Sequence, residues 1–353
     1  MINLLDRLAS PLDADAYLSL VNPLLGTRLR GVIERIERVG EGAATITITP
    51  GRRWAGHVPG QFVTLGVDVN GVRHRRCYSV TSLPSVGRGA RIQITVQSTA
   101  GGFVSDHLVH HASVGEIVQL GQAEGEFTLP DALPARLLFV TGGSGITPVM
   151  SMLRALASRR HDSEVVVLHH AATPERGLFG VELSSLADRH PWLRIETTHT
   201  RAEGGAHLDA DRLESLCPDW RDREAFLCGP SSLIEVAMTT WAEDGISDRL
   251  HVERFAAAPL VRPSADGGSA GGQATFSSSG VSTMADGSTP LLEVAEAAGL
   301  APAHGCRMGI CHTCSTRLES GCVRDLRDGR LVEAGGHVQL CVTAAATDVA
   351  LAL

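Results

Sequence analysis

The stretch LLFVTGGSGITPVMSMLRAL, residues 137–156, changes its hydrophobic period half-way along. LLFV is a continuous apolar run, as a strand buried on both faces requires, whereas ITPVMSMLRAL spaces its apolar residues as a helix does. Between them Gly142, Gly143 and Gly145 allow a tight turn and let a ligand approach the backbone closely. Thr147 and Pro148 open the expected helix, with proline in its favoured first-turn position. A helix N-terminus behind a glycine turn offers free N–H groups and a positive dipole end, which suits a phosphate. The glycines are out of register for G-x-G-x-x-G, so the turn is not a Rossmann fingerprint. Taken alone, it is equally a plain strand–helix connection.

The neighbouring sequence decides between these readings. EVVVLHHA (164–171), RIETTHT (194–200), EAFLCG (224–229) and RLHVERF (249–255) read as further strands separated by helical segments. That alternation predicts a parallel α/β domain over residues 131–255. FLCGPSSLIEVAM (226–238) repeats the strand–turn–helix design at Cys228, Gly229 and Pro230.

Upstream, residues 26–130 hold six alternating or apolar runs bounded by Gly, Pro and Asn, from RGVIERIERV (30–39) to GEIVQL (115–120). They predict a closed antiparallel β-barrel. Asn70-Gly71 predicts a type I′ hairpin between two of the runs. GGFVSDHL (101–108) predicts one interrupting helix. Residues 1–25 form a leucine-bearing leader, either an amphipathic segment packed on the barrel or a docking element. Residues 256–274, small and rich in Gly and Pro, read as a flexible linker. The remaining residues, 275–353, form a compact module. The fold class is therefore multidomain α/β plus β.

Composition narrows the function. All 31 basic residues are arginine, which excludes a Schiff-base or Walker lysine, and the formal charge of −8 argues against a nucleic-acid partner. The N-terminus lacks the basic and apolar regions of a signal peptide, and no apolar window of about 20 residues could span a bilayer. Eight cysteines in such a chain point to metal binding, catalysis or burial rather than a disulfide framework, so a cytoplasmic location is expected.

Five of those cysteines lie in the last module. In HGCRMGICHTC (304–314), Cys306, Cys311 and Cys314 have C-x4-C-x2-C spacing, and Cys341 follows later. This is the ligation pattern of a plant-type [2Fe–2S] cluster. A structural zinc site also uses four thiolates, but usually as two short knuckles rather than three ligands on one loop. Cys322, in the strand-like run TRLESGCV, reads as a buried small residue.

The loop CRMGICHTC resembles that of plant-type ferredoxins, and ATFSSSGVSTMADGSTPLLEVAEAAGL (274–300) resembles their preceding hairpin and helix, with Thr289 as N-cap and Pro290 first in the helix. His312 departs from the small residue usual after the second ligand. Further upstream, PGQFV (59–63), RCYS (76–79), GGFVS (101–105), GSGITP (143–148) and CGP (228–230) occur in that order. Together they resemble the ferredoxin–NADP reductase family, in the domain order of phthalate dioxygenase reductase-like proteins. The arrangement is also similar to actinobacterial reductases that serve acyl-CoA desaturases.

The resemblance implies a flavin-binding barrel, an NAD(P)H-binding α/β domain and a β-grasp ferredoxin domain. Arg76, Tyr78 and Ser79 would bind flavin. Gly102 and Ser105 would hold its diphosphate, which favours FAD over FMN. Gly143, Gly145, Thr147, Pro148, Gly229 and Pro230 would line the pyridine-nucleotide site. Cys228 would face the nicotinamide, with Ser79 and Glu253 orienting hydride transfer and Phe255 beside the flavin. Arg201 would meet a 2′-phosphate, favouring NADPH over NADH, although the family's common arginine after the preceding strand is replaced by Ala172. Electrons would pass to the cluster held by Cys306, Cys311, Cys314 and Cys341, then to a terminal oxygenase, a membrane di-iron desaturase or hydroxylase, or a cytochrome P450. Two other readings remain at this level: a reductase acting on free flavin or oxygen, and a non-enzymatic zinc-binding, nucleotide-sensing module.

Overall fold

The computed structural model describes residues 29–40, 42–69, 72–87, 89–99, 102–203, 205–255, 271–304, 309, 312–327 and 329–353. The expectations for the leader, for Asn70-Gly71 and for Cys306 and Cys311 lie outside the described residues. The chain forms two compact units, 1–255 and 256–353.

The first unit begins with an antiparallel sheet of six strands: β1 (Arg30–Arg38), β2 (Ala43–Pro50), β3 (Phe62–Val69), β4 (Val72–Ser79), β5 (Ile92–Gln97) and β6 (Ile117–Glu124). Its order is β4-β3-β6-β1-β2-β5, and a bridge from Val80 to Ile94 joins the two edges, so the sheet curls into a barrel. Inward residues such as Ile33, Ile46, Ile48, Val63, Leu65, Ile92 and Ile94 are wholly buried and form one core. Val69 pairs with Val72, leaving two residues to connect β3 and β4. The helix expected from GGFVSDHL is a single turn, α1 (Phe103–Asp106), that widens into a π-type turn over His107–His111.

The parallel sheet follows, with β7 (Arg136–Gly142), β8 (Glu164–Ala171), β9 (Leu193–His199), β10 (Glu224–Gly229) and β11 (Leu250–Arg254) in the order β11-β10-β7-β8-β9. Leu137 and Phe139 face one core while Leu138 and Val140 face another, so the sheet is covered on both sides. Continuous apolar runs in its strands follow from that double burial. Helix α2 (Ile146–Ala157) lies on the first core, and α5 (Ser231–Glu243) contributes to the second; α3 (Gly180–Arg189) and α4 (Ala210–Leu216) complete the layers. Helix α2 starts at Ile146, behind a 3-10 turn at Gly143–Gly145, so Thr147 and Pro148 sit inside its first turn rather than at its boundary.

Barrel and parallel sheet are tied directly. The Arg154 guanidinium donates to both carboxylate oxygens of Glu182 at 2.7 Å and to the Thr81 carbonyl at 2.6 Å. Gly60 donates its amide to Ser151 Oγ at 2.7 Å.

The second unit begins earlier than the glycine-rich sequence implied. Strand β12 (Gly272–Phe276) takes in the last linker positions, and a side chain at Gly272 would collide with the backbone of Thr347. The glycines that read as linker are there because the strand packs backbone to backbone. β12 pairs antiparallel with β13 (Val281–Ala285) and parallel with β19 (Val349–Leu351), the helix α6 (Leu291–Ala297) crosses after β13, and β14 (Ser315–Ser320) and β17 (His337–Gln339) extend the sheet. A smaller sheet holds β15 (Cys322–Asp325), β16 (Leu331–Glu333) and β18 (Thr343–Ala345). TRLESGCV is therefore two strands, broken at Gly321, whose φ of 82° ends β14.

Pro290, not Thr289, is the N-cap of α6, and it makes no capping bond. The preceding turn is held by Asp286, which accepts from the amides of Ser288 and Thr289; these bonds hold its carboxyl down at about 2. Among the described residues no helix is long and apolar enough to cross a membrane.

Gly60 has φ of +100°, and a Cβ there would lie 2.0 Å from the Phe127 carbonyl oxygen and 2.5 Å from Met152 Cε. Gly60→Ala should therefore cost about 2 kcal/mol or more in denaturant unfolding, from left-handed strain plus the collision. An unchanged unfolding midpoint would show that this junction relaxes freely.

Candidate active site

In β7 the chain enters the middle of the sheet, then builds outward through β8 and β9 before returning to add β10 and β11 on the other side. Open α/β sheets bind ligands at such a reversal, beyond the carboxyl ends of the central strands. Both glycine turns lie there. A Cβ on Gly145 would sit 2.1 Å from the Cys228 carbonyl oxygen, and one on Gly142 would sit 2.6 Å from Pro230 Cδ. The turns thus touch through their backbones. Gly143, with φ of 55°, has open space where its side chain would be.

A cleft of about 300 Å3 opens at this point, lined in part by Gly143, His170, Arg201, His207, Pro230 and Ser232. Gly145, Gly229, Thr147 and Pro148 do not line the cleft; Thr147 Oγ1 props the turn by donating to the Ser144 carbonyl at 2.9 Å. Arg201 is exposed at the rim, its amide bonded to the Ala172 carbonyl. Ala172 also lines the cleft, whereas Arg176 does not; the Arg176 carbonyl instead accepts from Gln97 of the barrel.

His170 is 6% exposed, and neither ring nitrogen has a partner among the described residues. Burial, followed by the charges of Arg212 and His207, pushes its imidazole down to about 4, so it is neutral at physiological pH. A buried, unpartnered imidazole facing a cleft is a donor and acceptor waiting for a ligand. Sequence reading missed His170, because HH inside an apolar strand reads as core, and His207, because a lone histidine in the connection after β9 carries no motif. The available signal was position: His170 stands at the carboxyl end of β8.

On the barrel, Arg76, Tyr78 and Ser79 lie together near the end of β4, and α1 packs against β3 and β4. Arg76 is partly buried and turns back on the Arg75 carbonyl at 2.8 Å. The Tyr78 ring packs on the barrel core, and burial raises its phenol pKa. Ser79 is buried two residues before Thr81, the carbonyl that receives Arg154 from α2. Flavin-side and nucleotide-side elements are therefore mechanically joined. At the turn before α1, Ser105 Oγ donates to the Gly102 carbonyl at 3.1 Å, closing the helix start on itself.

Cys228 and Glu253 are register neighbours on β10 and β11. Cys228 is wholly buried, and burial, with Glu253 adding to it, pushes its thiol well up; it stays protonated and is no nucleophile. Burial pushes the Glu253 carboxyl up to about 7. Phe255, just beyond β11, is partly buried against the core beneath α2.

In the second unit Cys314 and Cys341 are 4% and 5% exposed, with their sulfurs 3.2 Å apart. The Gly309 amide donates to Cys341 Sγ at 3.3 Å. His312 is exposed and takes a positive φ of 51°, a conformation that favours glycine, which is the backbone reason for a small residue there.

Three domain models match the chain: an oxidoreductase FAD-binding domain over 36–129, an oxidoreductase NAD-binding domain over 139–239 and a 2Fe–2S iron–sulfur cluster binding domain over 275–346. An NADPH oxidoreductase of Mycobacterium tuberculosis is 45% identical over 348 residues, covering 98% of this chain and 90% of the relative. The chain belongs to the ferredoxin–NADP reductase family. The reductase subunit of glycine betaine monooxygenase from Chromohalobacter salexigens is 29% identical, covering 83% of this chain and 86% of its own length. The solved structure of phthalate dioxygenase reductase superposes with a TM-score of 0.60 at 26% identity, over 93% of this chain and 98% of that one.

As a reductase of this family, the chain carries FAD-binding, NAD(P)H-binding and [2Fe–2S] domains in that order. The residues present fit these groups. The buried thiol pair suits iron, the orphaned His170 suits a nucleotide, and the buried Arg75 Nε, without a partner among the described residues, suits an anionic cofactor beside β4.

The raised Glu253 carboxyl gives a pH test. Its folded value of about 7 exceeds the ordinary 4.5, so its stabilising contribution is complete below about 4.5 and is lost as pH rises through 7. Glu253→Gln should flatten the fall in Tm expected of the wild-type protein between about pH 4.5 and 7. Parallel Tm curves would mean that Glu253 is solvated.

Proposed function

We propose that this chain is an NADPH-dependent reductase component that supplies single electrons to a terminal oxygenase. The observation that carries the reading is the presence in one chain of a nucleotide cleft and a buried thiol pair. When bound, FAD accepts a hydride from NAD(P)H and the [2Fe–2S] cluster handles electrons one at a time.

The chain's own residues do the positioning. Gly143 lets the nucleotide backbone lie close to α2. Cys228, neutral and enclosed, backs the place of the nicotinamide, and Glu253 beside it holds a proton below pH 7. Ser79 offers a hydroxyl to the flavin's reacting edge, with Tyr78 and Phe255 flanking the ring system. Arg76 and the Gly102–Ser105 turn take the anionic part of FAD. Cys306, Cys311, Cys314 and Cys341 ligate the cluster.

Support for NADPH comes from Arg201 at the rim, where a forked guanidinium meets a phosphate well. Ala172 removes the arginine that commonly serves nearby. An oxygenase acceptor is supported by the relative that serves glycine betaine monooxygenase. The 275–353 segment has eight acidic residues and five arginines, a balance suited to docking on a basic acceptor. The cytoplasm is the proposed compartment; Cys217, Cys228 and Cys322 form no disulfide.

Arg201→Ala should raise the KM for NADPH about tenfold or more and leave that for NADH within a factor of two. Equal losses with both nucleotides would assign Arg201 to the shared part of the cofactor. Cys314→Ser should abolish cytochrome c reduction while dye reduction at the flavin survives. If cytochrome c reduction persists at the wild-type rate, electrons leave from the flavin and the oxygenase-reductase reading fails.

A further inference from the structure

The carbonyl of Gly309 is gripped from two sides. Gln339 Nε2 donates to it at 2.9 Å and Arg327 Nη1 at 3.3 Å. The other face of this residue, its amide, donates to Cys341 Sγ. Gly309 has φ of +73°, and a Cβ would lie 2.9 Å from both Arg327 Nη1 and Val342 Cγ1, so the glycine is enclosed as well as gripped.

Both grips are themselves held. Gln339 is 8% exposed and ends β17, whose register partner is Ser315, immediately after Cys314. Its own carbonyl accepts from the Val342 amide and Thr343 Oγ1. Arg327 donates Nε and its amide to Asp325 at 2.9 Å, and Nη2 to the same carboxylate. Burial works against the charged form of Asp325, and the bonds from Arg327 outweigh it, holding the carboxyl below its ordinary value. Because Asp325 is a buried anion beside Arg327, the two charges largely cancel at a distance. What the pair delivers is geometry.

We propose that Gln339, backed by Arg327, is a positioning residue that aims the Gly309 N–H at the Cys341 sulfur and thereby raises the cluster's reduction potential. Hydrogen bonds to a ligating sulfur draw electron density from it and favour the form carrying one more electron. The clamp moves no atom. It would set how readily the cluster takes up, one at a time, the two electrons that a hydride supplies. The inference rests on Cys341 being a cluster ligand.

The test is an EPR-monitored redox titration of the full chain, with iron and labile sulfide measured in parallel. Gln339→Leu removes the donor at similar volume. It should shift the cluster's reduction equilibrium about tenfold toward the oxidised state, about 59 mV for one electron. Flavin reduction by NADPH should stay within a factor of two. Gln339→Met, longer and unbranched, serves if the first variant loses iron. An unchanged potential in either iron-replete variant overturns the proposal. So does loss of iron from both, because the side chain would then be a structural prop. Cys341→Ser separates the underlying assignment: if its visible and EPR spectra match wild type, Cys341 is not a ligand and the premise fails, independently of Gln339.

Discussion

Everything at the nucleotide end rests on the contact between two glycine turns. Gly145 meets the Cys228 carbonyl and Gly142 meets Pro230 so closely that neither position admits a methyl group. This contact draws β7 and β10 together at the sheet's reversal point and sets the cleft beside them. A larger residue would separate the turns and move the first turn of α2 away from β10. Since α2 also carries Ser151 and Arg154, which tie it to Gly60 and Thr81, the same contact governs how β4 of the barrel meets the nucleotide domain.

Seen from that contact, the roles of the three glycines divide. Gly142 and Gly145 are needed for packing; Gly142 and Gly143 both line the cleft, and of the three Gly143 alone has open space where a side chain would be. The sequence could not make this division, because all three satisfy the same local pattern. Likewise Thr147 and Pro148 carry a helix-start signature, yet their side chains are buried inside the first turn. Their contribution to a ligand is indirect, through the shape of the turn.

What sequence alone revealed follows the range of the interactions involved. Period-2 and continuous apolar runs report burial of a strand's own faces, so all six barrel strands and all five parallel strands were legible. The hidden features depend on distant partners. Gly272 reads as linker unless Thr347 is known to lie against it. His170 reads as core unless the open cleft is known. Gln339 carries no motif; its role follows from Gly309, 30 residues away in sequence. Cysteine spacing was readable because three of the candidate ligands share one loop, and Cys341 completes the same pattern further along.

The cleft of the first unit and the cysteine pair of the second are built on opposite principles. The cleft of the first unit is open, with exposed Arg201 and His207 at the rim and His170 kept neutral by burial, as a ligand that arrives and leaves on each turnover requires. A neutral imidazole costs less to leave unpaired between turnovers than a buried charge would. In the [2Fe–2S] domain the two described thiols of the cysteine pattern, Cys314 and Cys341, are almost fully enclosed, and the backbone at Gly309 beside Cys341 is held by Gln339 and the Asp325–Arg327 pair. Rigidity there also serves chemistry, because small reorganisation of the hydrogen bonds around the sulfurs keeps the cost of adding and removing one electron low. The nucleotide site thus relies on accessible donors, whereas the cluster site relies on enclosed ones.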